Sequence, residues 1–200
     1  MSTGLPVMMP ARRPVLAALL GAVLLPGRAL RAATPSAMNI SFRDTTFVHR
    51  WSRGGQHEFT PVDDADLSSW RDMLTFNVHG NARSAEALAG VANQVLANYE
   101  RVGKVVRTRS VPRSATTKAE HFVAAVLGQP EFLEAAFARC LQVENAGLVM
   151  VVSHRVYGQK QGPAMSAWLA ANGNAVEQAL MGWTRWPSVD RLDELPRSES

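Results

Sequence analysis

Leu148–Tyr157, LVMVVSHRVY, decides the fold. Five consecutive apolar residues, Leu148–Val152, lead into Ser153, His154 and Arg155. Strand side chains alternate between faces, so an unbroken apolar run puts hydrophobic groups on both sides. Such a strand belongs inside a sheet. At its polar end His154 and Arg155 must point to opposite faces.

Strands are expected ahead of this run in sequence. Glu120–Leu127 reads as a strand, and Gly128-Gln129-Pro130 as a turn. Glu131–Val143 is mixed. Phe132, Leu133, Ala136 and Phe137 have helical spacing, whereas Phe137, Arg139, Leu141 and Val143 alternate. The second half is read as a strand and 131–138 is left open. Glu144–Gly147 is a hairpin turn into the central run.

Upstream, Phe47–Trp51 and His57–Thr60 flank the turn residues SRGGQ and form a hairpin. Arg71–His79 alternates, with Leu74, Phe76 and Val78 on one face. Asp63, Asp64 and Asp66 form a solvated acidic turn and lack the glycine and closing glutamate of a calcium loop. Leu88, Val91, Ala92, Val95, Leu96, Tyr99 and Val102 recur at helical spacing, so 84–102 is a long helix with Ser84 as N-cap and Gly103 as C′ residue. Lys104–Lys118 is basic and contains no aromatic residue to stack on bases, so it reads as a solvated edge strand. A helical region spans 163–184, with Asn172-Gly173-Asn174 expected to kink or split it.

The expected class is α+β, with a mainly antiparallel sheet of about six or seven strands. The domain is expected over 39–186, after a spacer at 34–38 and before a flexible tail at 187–200. The element order resembles the PsbP/Mog1-type fold of small exported and regulatory proteins. The phrases HRWSRGGQHEFTP, SSWRDMLTFNVH and VVSHRVYG resemble those of secreted bacterial proteins of unassigned activity. That likeness implies export.

Residues 1–33 read as a cleavable signal peptide. Arg12-Arg13 is a positive start, and Val15–Leu25 (VLAALLGAVLL) is an eleven-residue apolar core, too short for the ~20 residues of a membrane span. Cleavage is expected after Ala29, Ala32 or Ala33, by the general secretory route rather than the twin-arginine one. This segment also explains the net charge of +4. Arg12, Arg13, Arg28 and Arg31 precede the first acid, Asp44, and without them 17 basic groups face 17 acidic ones. The basic pI therefore does not indicate a nucleic-acid partner.

Cys140 is the single cysteine, so no internal disulfide forms and no multi-thiolate metal site can be built. It reads as a buried inert thiol rather than a nucleophile served by His154. The glycines form neither a phosphate loop nor a dinucleotide fingerprint. The function expected is an exported, non-enzymatic module for a small ligand or a protein partner, with no cofactor and no metal. The candidate binding residues are His49, Arg50, Trp51, His154 and Arg155, with a small anion as the ligand and the two polar strands close together. The alternative is a hydrolase or metal-dependent enzyme using His49, Glu58 and His154, with His57 as a further candidate ligand.

Overall fold

A computed structural model describes residues 38–198. Eight strands form one antiparallel sheet: β1 (Asn39–Phe42), β2 (Thr45–Arg53), β3 (Gln56–Pro61), β4 (Asp72–His79), β5 (Gly103–Val111), β6 (Glu120–Gly128), β7 (Phe132–Val143) and β8 (Ala146–Tyr157). Three helices accompany them: α1 (Ala85–Val102), α2 (Gln161–Gly182) and α3 (Val189–Asp193). The spatial order is β1-β2-β3-β4-β8-β7-β6-β5. Two meanders of four strands thus meet along β4 and β8, and the apolar run is central as expected.

The two faces of β8 are buried by different helices. Leu148, Met150 and Val152 join Phe137, Phe76, Met165, Val176 and Leu180 under α2. Val149 lies with Leu88, Ala92, Ala138 and Cys140 under α1, and Val151 packs against that group. α1 packs on β5 to β8, whereas α2 packs on β7 and β8. Ser84 caps α1 by accepting from the Ala87 amide at 3.1 Å, as its side chain predicts. Gly103 does not act as a left-handed cap. It is extended and opens β5, and a Cβ there would lie 2.2 Å from the Val126 carbonyl oxygen of β6. Close approach of two backbones requires the glycine.

One open reading is resolved and three expectations are corrected. β7 is a strand from Phe132 onward. Its alanines Ala135, Ala136 and Ala138 are buried between β6 and β8, and this context overrides the local helical spacing. α2 runs unbroken through Asn172-Gly173-Asn174. Asn172 Nδ2 donates to the Trp168 carbonyl one turn back, at 3.1 Å, and holds the turn together. The segment after Pro187 is not a loose tail: α3 buries Leu192, Leu195 follows it into the core, and the Ser198 amide donates to the Ser52 carbonyl at 2.9 Å. Finally, β2 and β8 are not neighbours. β3 and β4 separate them, a distance of three strand spacings or ~14 Å.

Arg139 is 7% exposed. It donates from Nη1 to the Leu180 and Trp183 carbonyls at 2.9 and 2.8 Å, and from Nη2 to Glu120 at 2.8 Å. A cation from the sheet thus satisfies the C-terminal end of α2. The outermost strands are unlike. β1 has four residues. β5 has nine, mostly exposed, with a bulge at Val106 and Lys104, Arg107 and Arg109 along its side nearest α2.

Candidate functional site

The polar end of β8 divides into two environments. His154 continues the face of Leu148, Met150 and Val152 toward α2, and its cross-strand partner on β4 is Asp72. The imidazole Nδ1 and the Asp72 carboxylate are 2.8 Å apart. Trp168 of α2 stacks on the ring, with centroids 4.1 Å apart and planes 3° from parallel. These three side chains line a cavity of about 470 Å³. Phe42, Phe47, Val152 and Val176 supply its apolar wall. Its mouth is the Arg43-Asp44 turn between β1 and β2, where Arg43 holds a positive φ of 52°. A non-glycine residue in that region costs of order 1 kcal/mol.

Arg155, one residue on, lies on the other face. Its guanidinium carbon sits 3.7 Å from the Trp70 ring centroid and 3.9 Å from that of Phe132, and Nε donates to Glu134 at 2.8 Å. The cation is flanked by two aromatic faces and matched by a carboxylate.

The remaining sequence candidates separate around a bulge in β2. His49 pairs with Phe59, but Trp51 pairs with Glu58, so one extra residue, Arg50, is accommodated between them. A bulge of this kind reverses the facing of every later side chain. His49 therefore faces the α2 side with its ring against Phe59, while Trp51 and Glu58 face the opposite side. Arg50 donates to Thr60 Oγ1 at 2.9 Å and to the Pro61 and Val62 carbonyls.

His49 instead belongs with His57. Ser52 Oγ lies 2.7 Å from His49 Nε2 and 2.8 Å from His57 Nδ1. Burial lowers the pKa of both rings, with Asp193 opposing the effect at His57. Glu58 is held above the ordinary carboxylate range, chiefly by burial, although Gln56 donates to it at 2.7 Å. The structure does not gather His49, Glu58 and His154 at one point. Among the described residues no three His, Cys, Asp or Glu side chains are placed to hold a metal ion. Cys140 is fully buried, its thiol pushed up to about 12 by burial, and it faces α1 rather than His154.

Sequence reading found His154 but missed Asp72 and Trp168. Asp72 is 82 residues away and meets His154 only through the register of β4 on β8. A larger cavity, about 620 Å³, lies at the ends of β6 and β7 beside Lys118, Gln142 and Trp186. Of its two carboxylates, Glu120 is already matched by Arg139, and Glu144 lies exposed in the β7–β8 turn. The His154 cavity is the better candidate because it brings together apolar walls and convergent polar groups.

No protein-family model and no curated protein matches the sequence. Two solved structures are similar in fold. One is a Pseudomonas aeruginosa protein of unknown function, PA94, at 11% identity and a TM-score of 0.43, covering 76% of this chain and 99% of that one. The other is the Saccharomyces cerevisiae Ran-binding protein Mog1p, at 13% identity and a TM-score of 0.39, covering 73% and 92%. Among the described residues no helix is long and apolar enough to cross a membrane.

Proposed function

We propose that this chain is an exported, non-enzymatic binding module whose ligand site is the cavity beside His154. One observation carries the reading: a histidine held by Asp72 and stacked on Trp168 forms the wall of a 470 Å³ cavity. Apolar surface there would hold the body of a small ligand, and the ring would fix its orientation. Export rests on the sequence of residues 1–33, which lie outside the described residues.

A test joins the two parts. Protein recovered from a periplasmic fraction is expected to begin between Leu30 and Thr34 by intact mass. Native mass spectrometry is expected to show a co-purifying small molecule that is lost in His154→Ala. Recovery of the intact Arg12–Leu25 segment in a membrane-bound form would refute export. A wild-type protein and a His154→Ala variant carrying the same adduct would refute the site.

A second reading is favoured by the same dyad. An imidazole with Nδ1 held by a carboxylate and Nε2 unengaged is the arrangement of a general base. Hydrolysis of p-nitrophenyl acetate that His154→Ala abolishes, at rates well above free imidazole, would establish it.

A further inference from the structure

The chemistry of the ligand follows from the donors and acceptors around His154, and it rests on that cavity being the binding site. Asp72, as a carboxylate, can only accept. The proton in its 2.8 Å contact therefore sits on His154 Nδ1. Asn172 also lines the cavity. One N–H of its amide donates to the Trp168 carbonyl, which leaves Oδ1 as an acceptor and the second N–H as a donor. Asp44 adds a second carboxylate at the mouth. The donors of the lining are Arg43, on the β1–β2 turn, and the Thr45 hydroxyl at the start of β2, both exposed.

The acidic side chains of the lining outnumber the basic one. We infer that the cavity takes a small organic ammonium ion carrying an apolar body. The ammonium N–H bonds donate to the Asp72 carboxylate and to Asn172 Oδ1. The hydrocarbon part lies against Phe42, Phe47 and Val176. A carboxylate or phosphate head would meet two anions, with Arg43 the one cation of the lining to receive it. This ligand class is the opposite of the anion expected from the sequence, because Arg50 and Arg155 are engaged elsewhere by backbone carbonyls and by Glu134.

The test titrates the mature protein by calorimetry with phenethylamine and with 3-phenylpropanoate, which share the phenylethyl body and differ in the charge of the head. Saturable amine binding is expected, with the carboxylate at least about tenfold weaker, as loss of charge-assisted hydrogen bonds implies. Asp44→Asn, an exposed substitution that leaves folding intact, and Asp72→Asn should each weaken the amine several-fold. If the carboxylate binds as tightly as the amine and His154→Ala abolishes it, the ligand class falls while the site stands. If neither probe binds, the reading of this cavity as a ligand site falls too. Amine binding that ignores all three substitutions occurs elsewhere and overturns the inference.

Discussion

His154 and Arg155 are adjacent in sequence and end in opposite circumstances. On one face of β8 the histidine meets a carboxylate and an indole and still leaves a cavity beside it. On the other the arginine fills its own surroundings, with aromatic rings on two sides and Glu134 on its donor edge. Both are polar residues at the end of a buried strand, so residue type does not separate their roles. What separates them is whether the partners close around the side chain or stand back from it. Arg155 has the marks of a structural ion pair, and His154 those of a group left available.

The largest effect that would break this contrast belongs to Arg155→Ala. Removing the guanidinium leaves Glu134, whose side chain is 14% exposed, without its cation. A loss of about 3 kcal/mol is expected, readable as a lower urea midpoint, and Glu134→Ala made together with it should recover part of that loss. A melting temperature within a degree or two of the wild type would place Arg155 on the functional side.

His154→Ala is expected to cost less, about 1.5 kcal/mol, because it removes the stack on Trp168 but leaves an Asp72 side chain that is 44% exposed and can be hydrated. Its effect on ligand binding should exceed its effect on stability. The reverse order would make His154 as structural as Arg155.

The smallest effect concerns His57, a histidine whose Nε2 is buried without a partner, unlike the engaged Nδ1 of His154. Burial lowers its pKa below the ordinary 6.5 in the folded chain, and that of His49 likewise. The unfolded chain then takes up protons first as the pH falls. The stabilising contribution is complete above about pH 6.5 and is lost progressively below it, toward the folded values. Denaturant midpoints should be flat from pH 8 to 7 and decline from 6.5 to 5, more steeply than in His57→Gln. Superimposed curves for the two proteins would remove His57 from the linkage.

The centre of the fold was readable in sequence because Leu148–Val152 and the α1 stripe are long, strong patterns that tertiary context reinforces. Facing was harder. Alternation puts His49 and Trp51 together, and a single bulged residue separates them without any glycine or proline to mark it. The tail carried only Val189, Leu192 and Leu195 as apolar signals in a charged stretch, too few to reveal that the two leucines are buried. The candidate site was half legible. A histidine at the end of a buried strand stands out, but its carboxylate comes from the register of a distant strand, and Trp168 looked like one more core aromatic on a helix.

The unlike edges of the sheet bear on how the protein behaves at high concentration. A nine-residue outer strand offers backbone groups to any other extended chain, which is the usual seed of edge-to-edge polymerisation. On β5 the bulge at Val106 interrupts the straight ladder such a seed needs. Lys104, Arg107 and Arg109 would face the same cations on a second copy brought alongside. Arg107 is partly offset by Glu177 of α2, at 2.9 Å, so the repulsion falls mainly on the other two. The opposite edge, β1, is only four residues long and gives a neighbour little to hold. Crowding in the compartment where this chain accumulates is therefore resisted by charge on one flank and by shortness on the other.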